Sequence, residues 1–154
     1  MKEEEQVGEM ENIKFIVGNQ GWQRAASIFI RMNVFVFEVQ ISLQDEFDLN
    51  DTDEAIYAVA YQGDLPVSTA RLLKIDEENV RITRVATLKE YRGKHLSSEI
   101  LKRLEDYSRT VGYKKVDIHS EVAALAFYLK CGYQLSSDIY YEDSVPCQSV
   151  EKYL

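Results

Sequence analysis

Cysteine, histidine and proline are scarce in this chain of 154 residues, with two of each. Cys131 and Cys147 show neither the spacing of a metal knuckle nor the density of a disulfide scaffold, and read as reduced thiols. His95 and His119 come without an HExxH or paired-cysteine pattern, so no metal site is expected. No apolar run approaches the roughly 18 residues a membrane span needs. Positive charge is also in deficit. Lysine and arginine number 18 against 26 acidic residues, for a net charge of −8. That balance repels a phosphate backbone and gives no electrostatic reason to bind nucleic acid or an anionic membrane. It suits a cationic small substrate, or simply a soluble surface. The opening Met1-Lys-Glu-Glu-Glu-Gln6 lacks the basic and apolar regions of a secretory signal. Residues 1–10 are therefore expected to be a flexible acidic leader, and the protein cytoplasmic.

The hydrophobic fraction of 45% and charged fraction of 29% are those of a globular chain. The length fits a single domain over 1–154 with one core. No repeat, low-complexity segment or linker divides it. Asn12–Val17 reads as a strand stopped by Gly18-Asn-Gln-Gly21. From Trp22 to about Glu38, Trp22, Ala25, Ala26, Phe29, Met32, Val36 and Val39 recur at helical steps, predicting one buried stripe. Gln44–Glu54 is an acidic, turn-forming loop expected to be exposed. Ala55–Gln62, Pro66–Ile75 and Val80–Leu88 form an antiparallel meander, its first turn at Gly63-Asp64. A second helix runs from Leu96 to Gly112, with Ile100, Leu101, Leu104 and Tyr107 inward. Lys114–His119 follows as a strand parallel to Val80–Leu88 through a right-handed crossover. A third helix spans Glu121–Lys130, and Tyr133–Tyr141 and Val150–Leu154 close the sheet. The class is α/β (α+β): one mixed sheet with helices on its faces. The apolar strand edge after Tyr133 permits a homodimer.

Two segments can carry chemistry. In Arg84–Ser97 a strand breaks at Arg92-Gly93 and opens into a helix. Arg92 and Lys94 supply positive charge, Gly93 permits close backbone approach, and the helix start offers unpaired N–H groups with a favourable dipole. Phosphate is the natural guest, although a plain turn with two solvated cations fits the same residues. In Ala123–Tyr133 the small residues let another surface approach, and Tyr128 brings a phenol that can protonate a leaving group. Tyr128 reads equally as a core residue.

The two segments together resemble the GNAT-type N-acetyltransferases. The pattern is a strand with Arg84-Val-Ala86, then Tyr91-Arg-Gly-Lys94, a helix, a strand, and Ala124-x-x-Phe127-Tyr128-x-x-x-Gly132-Tyr133. Arg31–Glu38, Glu46, Asp48, Asp51, Thr69–Leu72 and Val145-Pro146-Cys147 look like the small bacterial ElaA-like subgroup. The resemblance implies a mostly antiparallel central sheet with a V-shaped split between two parallel strands, where acetyl-CoA lies. Carried over by position, it places the pyrophosphate at Arg92, Gly93, Lys94, His95, Leu96 and Ser97. Val85, Ala86 and Thr87 pair with the pantetheine arm, Phe127 borders it, and Tyr128 is the general acid. The acceptor is a small-molecule or peptide amine. Glu46 is the candidate base, with Asp48 and Glu38 beside it.

Five residues depart from the family pattern. His95 and Ser97 stand where the turn usually has glycine or alanine. Val39, Tyr57 and Cys147 replace a glutamine and two histidines of the subgroup. A positive φ at His95 would strain the backbone, although histidine tolerates it better than most residues. The alternative function that follows is a noncatalytic CoA-binding or regulatory module on the same fold.

Overall fold

The computed structural model describes residues 12–154, and the expected leader at 1–10 lies outside them. Alternating strand residues build the meander. β1 (Ile13–Gly18), β2 (Ile56–Gln62), β3 (Leu65–Lys74) and β4 (Asn79–Thr87) pair antiparallel in turn. The β2–β3 turn needs Gly63, whose φ of 60° lies in the left-handed region. α1 (Gly21–Arg31) and α2 (Leu43–Glu46) precede β2, α3 (Leu96–Val111) follows β4, and α4 (Leu125–Lys130) follows β5 (Lys115–Glu121). β6 (Gln134–Leu135), β7 (Tyr140–Glu142) and β8 (Val145–Tyr153) close the chain. The sheet order is β1-β2-β3-β4-β5-β8-β6, with β7 pairing β8.

Period-two alternation sorts side chains between two cores. Ala58 and Ala60 of β2 pack with Leu96, Ile100, Leu101 and Leu104 of α3. Tyr57, Val59 and Tyr61 pack on the other face with Ala26, Ile30 and Val34. Of the inward residues expected of α3, Ile100, Leu101 and Leu104 are buried and Tyr107 is partly buried against the same core, while Leu96, Glu105 and Ser108 are buried as well; Gly112 ends the helix with a φ of 107°. Among the described residues no helix is long and apolar enough to cross a membrane.

Several boundaries and faces differ from expectation. The first helix does reach Glu38, but α-helical bonding stops at Arg31 and Met32–Glu38 is a π-helix. Its buried face is Gln23, Ala26, Ser27, Ile30 and Arg31, while Trp22, Phe29 and Val39 are exposed. Counting apolar residues selected the wrong stripe because Ser27 and Arg31 are buried by hydrogen bonding to Thr69 and Asp51. The acidic loop contains α2, whose Ser42 side chain accepts from the Asp45 N–H, and it buries Glu46. β5 runs through Glu121, so the third helix starts as a 3-10 turn at Val122–Ala124. The expected strand over 133–141 is split, and β8 begins at Val145 rather than Val150. Asp143 and Ser144, with φ of 48° and 69°, make the two-residue hairpin between β7 and β8.

β4 and β5 are parallel, yet they pair only from Asn79–Arg81 to Lys115–Asp117. Beyond that the strands part. The register between β3 and β4 shifts between Thr69 and Arg71, and Arg84 takes a φ of 55°. This bulge adds a residue to β4 and bends it away from β5, opening the V-shaped split. β5 meanwhile stays paired with β8 along its whole length.

Candidate functional site

The turn after β4 is built by local backbone choices. Gly93 has a φ of 76°, and His95 at the helix N-cap has φ 62° and ψ 19°. His95 thus does take the left-handed backbone that would strain it, and its carbonyl accepts from the Ser98 hydroxyl at 2.9 Å. The first-turn N–H groups of Leu96, Ser97 and Ser98 have no intrahelical acceptor and point out of the helix start. Ser97 shares a 2.7 Å hydrogen bond with Thr87, which shares another of 2.7 Å with Ser68. That hydroxyl chain ties the helix start to the sheet. Lys94 lies over the ring of Tyr91, and the Tyr91 hydroxyl donates to Gln62.

A cleft of about 610 Å³ opens between this turn and α4. Thr87, Arg92, Gly93, His95, Leu96, Ser97 and Phe127 line it, with Lys130 and Cys131 opposite the turn. The structure thus brings together residues that the sequence separates by about thirty positions. Val85, Ala86 and Lys94 are not in the lining. Val85 and Ala86 lie on β4 past its last partner on β5, so the split side of the strand is open there.

Arg92 is occupied. Its Nη1 and Nη2 donate to Glu38 at 2.7 and 2.8 Å, and its Nε donates to the Thr87 carbonyl at 3.0 Å. The hydrogen bond from Arg92 holds the Glu38 carboxyl below its ordinary range. The guanidinium therefore braces the π-helix against the turn, which leaves the turn's N–H groups, with Lys130 of α4 across the cleft, to meet an anion.

Tyr128 is not in the cleft lining either; it is buried in the α3-side core, edge-to-face on Tyr133 and on Phe127, which does line the cleft. Burial, reinforced by the neighbouring Cys131 and Glu121, pushes its hydroxyl up to about 12, so it stays protonated at neutral pH. No protein group hydrogen-bonds to that hydroxyl among the described residues.

Glu46, Asp48 and Asp51 are absorbed into a charge cluster with Arg31, Arg71 and Arg84. Arg71 grips Asp48 with two bonds of 2.9 Å. Arg31 donates to Asp51 at 2.7 and 3.0 Å, and the Tyr57 hydroxyl donates to Asp51 at 2.7 Å. Arg84 Nε lies 3.0 Å from Glu46, and Arg31 Nε is 3.8 Å away. Burial alone would raise both aspartates. The Arg71 and Asn50 bonds instead hold Asp48 far below the carboxylate range, and the Arg31 and Tyr57 bonds hold Asp51 at about 2. For Glu46 burial dominates and raises the carboxyl despite the three arginines. Its Oε2 is buried without a hydrogen-bond partner. Tyr57, through burial and its bond to Asp51, is pushed up to about 12. Sequence reasoning missed this pairing because the arginines come from α1, β3 and β4. Cys147 is buried on β8, and among the described residues no three metal-binding side chains cluster.

The split parallel pair and the N–H-rich turn form a concave site suited to a phosphate-bearing ligand. Residues 22–133 match the acetyltransferase (GNAT) family, and the chain belongs to that family. It is 40% identical over 110 residues to an uncharacterized acetyltransferase of the arcA 3′ region of Streptococcus pyogenes, covering 71% of this chain and 75% of the relative. A crystal structure from Lactobacillus plantarum, assigned as an N-acetyltransferase, superposes with a TM-score of 0.88 at 38% identity, over 92% of this chain and 98% of that one. Escherichia coli ElaA does so with a TM-score of 0.78 at 26% identity, over 91% and 99%.

Proposed function

We propose that this protein transfers an acetyl group from acetyl-CoA to an amine of a small molecule or peptide, by direct attack. The observation that carries the reading is the cleft joining the helix-start turn to Phe127 across an open β4 edge. The residues suit the cosubstrate. The turn N–H groups around Gly93 to Ser97, with Lys94 and Lys130, match a pyrophosphate. The free edge of Val85, Ala86 and Thr87 matches an amide-bearing arm that pairs as an added strand. Acetyl-CoA supplies an activated acyl carbon and a thiolate leaving group. Tyr128, kept neutral by burial, can give a hydrogen bond and then a proton to that sulfur. The reading puts the protein in the cytoplasm, in keeping with the free thiols Cys131 and Cys147.

Acetyl-CoA should raise the melting temperature, by about 2.7 kcal/mol of stabilisation at one hundred times its dissociation constant. A Tyr128→Phe variant should retain that shift while its turnover falls by roughly a hundredfold or more. Unchanged turnover would remove Tyr128 from the chemistry. The neutralised acids Asp48 and Asp51 favour a second reading, a noncatalytic CoA-binding module. Tight calorimetric binding of CoA, with no free thiol released across a panel of amines, would establish that reading instead.

A further inference from the structure

With Asp48 and Asp51 locked by arginines and Glu46 buried between them, the amine needs a proton acceptor from elsewhere. Alternation along β5 supplies one. Val116, Ile118 and Ser120 are buried, and Val116 and Ile118 pack in the α3-side core. Asp117, His119 and Glu121 therefore face the opposite side of the sheet. On β4, Val80 and Ile82 likewise belong to the α3 side, which places Arg81 and Thr83 on the face of His119. His119 lies two residues past the last β4–β5 pair, where the strands have parted. Its backbone is opposite Ser149 of β8.

His119 Nε2 is 3.5 Å from Asp117 Oδ2. Asp117 is itself anchored by Arg81, whose Nε donates to the same oxygen at 2.7 Å. The ring of Tyr140 packs edge-on against the imidazole with centroids 6.1 Å apart, and the Tyr140 hydroxyl is hydrogen-bonded to Ser149. Two contacts thus orient the ring and leave Nδ1 with no partner among the described residues. The side chain is 39% exposed, within reach of a solute. Other titratable or charged groups on this face are Lys115 and Glu121 on the same strand, Arg81 from β4, Arg71 from β3 beside Thr83, and Cys147, Glu151 and Tyr153 from β8, where Glu151 stands opposite Asp117 and pairs with Lys115 at 3.2 Å.

We infer that His119 is the general base that deprotonates the acceptor amine at the mouth of the β4–β5 split, with Asp117 as its positioning residue. This deepens, and rests on, the acetyl-transfer reading. The balance is complete. The amine nitrogen forms a bond to the acyl carbon, the C–S bond breaks with its electron pair going to sulfur, and His119 Nδ1 takes the nitrogen's proton. Tyr128 supplies the thiol proton from the α3 side of the sheet. Acid and base thus stand on opposite faces of the sheet, the base toward the nitrogen and the acid toward the sulfur. Imidazole is the side chain suited to exchange protons near neutrality.

The test uses the full chain with acetyl-CoA and three amines, namely an alkyl polyamine, an aromatic monoamine and a lysine-containing peptide, following thiol release from pH 5.5 to 9. Wild type should show a kcat/KM limb that rises with pH. In His119→Gln that limb should vanish and kcat fall by roughly a hundredfold or more, while the calorimetric affinity for CoA is unchanged and added imidazole restores part of the rate. Asp117→Asn should move the limb and keep part of the activity. A His119→Gln variant with wild-type rate and pH profile overturns the assignment and leaves acetyl transfer intact. A wild type that acetylates none of the amines overturns both.

Discussion

His95 concentrates the conflict between this sequence and its fold. Its φ of 62° is one that glycine adopts freely and other residues adopt at a cost. The strain is of the order of 1–3 kcal/mol, partly offset in a glycine variant by the freer unfolded chain. His95→Gly should therefore leave stability equal or higher by up to about 1 kcal/mol, read as a melting temperature. The affinity for CoA, measured by calorimetry, should rise if the imidazole narrows the cleft it lines. A lower affinity would show the imidazole to be a phosphate donor. The sequence revealed this position because the departure sits inside a motif of fixed spacing. It did not reveal His119, whose meaning depends on Asp117, Arg81 and Tyr140 meeting around it.

At the scale of elements, the π-helix and the anion turn act as one unit through Glu38 and Arg92. Both side chains are about 40% exposed, so the pair contributes little to global stability. Its effect is local. Glu38→Gln should raise amide exchange across Met32–Glu38 and the Lys89–Gly93 turn with little change in melting temperature. Unaltered exchange would show that Arg92 is held by the Thr87 carbonyl alone. Helical periodicity foretold that the chain would stay helical to Glu38. It could not show the change to π bonding, since hydrophobic spacing reports which residues face inward and not which carbonyl each N–H selects. The acidic loop failed for a different reason. Composition reads Gln44–Glu54 as hydrated, whereas Glu46 is buried with Arg31 and Arg84, from other elements, set against its carboxylate.

The whole molecule is held across its α1 face by Asp51, which joins α1, β2 and β3 through Arg31, Tyr57 and Arg71. Its folded pKa of about 2 lies below the unfolded value near 3.9. The resulting stability is complete above about pH 4 and is lost as pH falls toward 2, an effect of roughly 2 kcal/mol. Denaturant unfolding of wild type should show that decline. Asp51→Asn should lose about 3 kcal/mol at neutral pH, because Arg31 is left buried with its partner removed, and should flatten the acid slope. An Asn variant as stable as wild type would mean that Asp48 and Glu46 suffice to neutralise the arginines.

By itself the sequence determined the alternating strands, the amphipathic α3, the turn that opens into it at Gly93, and the family. These rest on neighbours in the chain, where backbone preference and period-two or helical spacing act over a few residues. The tertiary structure decided where the β4–β5 split opens, which acids are neutralised and which titratable side chain is left facing the parted strands. Each of those outcomes joins residues far apart in sequence, as Arg81 meets Asp117 across 36 positions. Charge pairing and burial depend on distance in space, and only the right-handed crossover through α3 and the bulge at Arg84 set those distances.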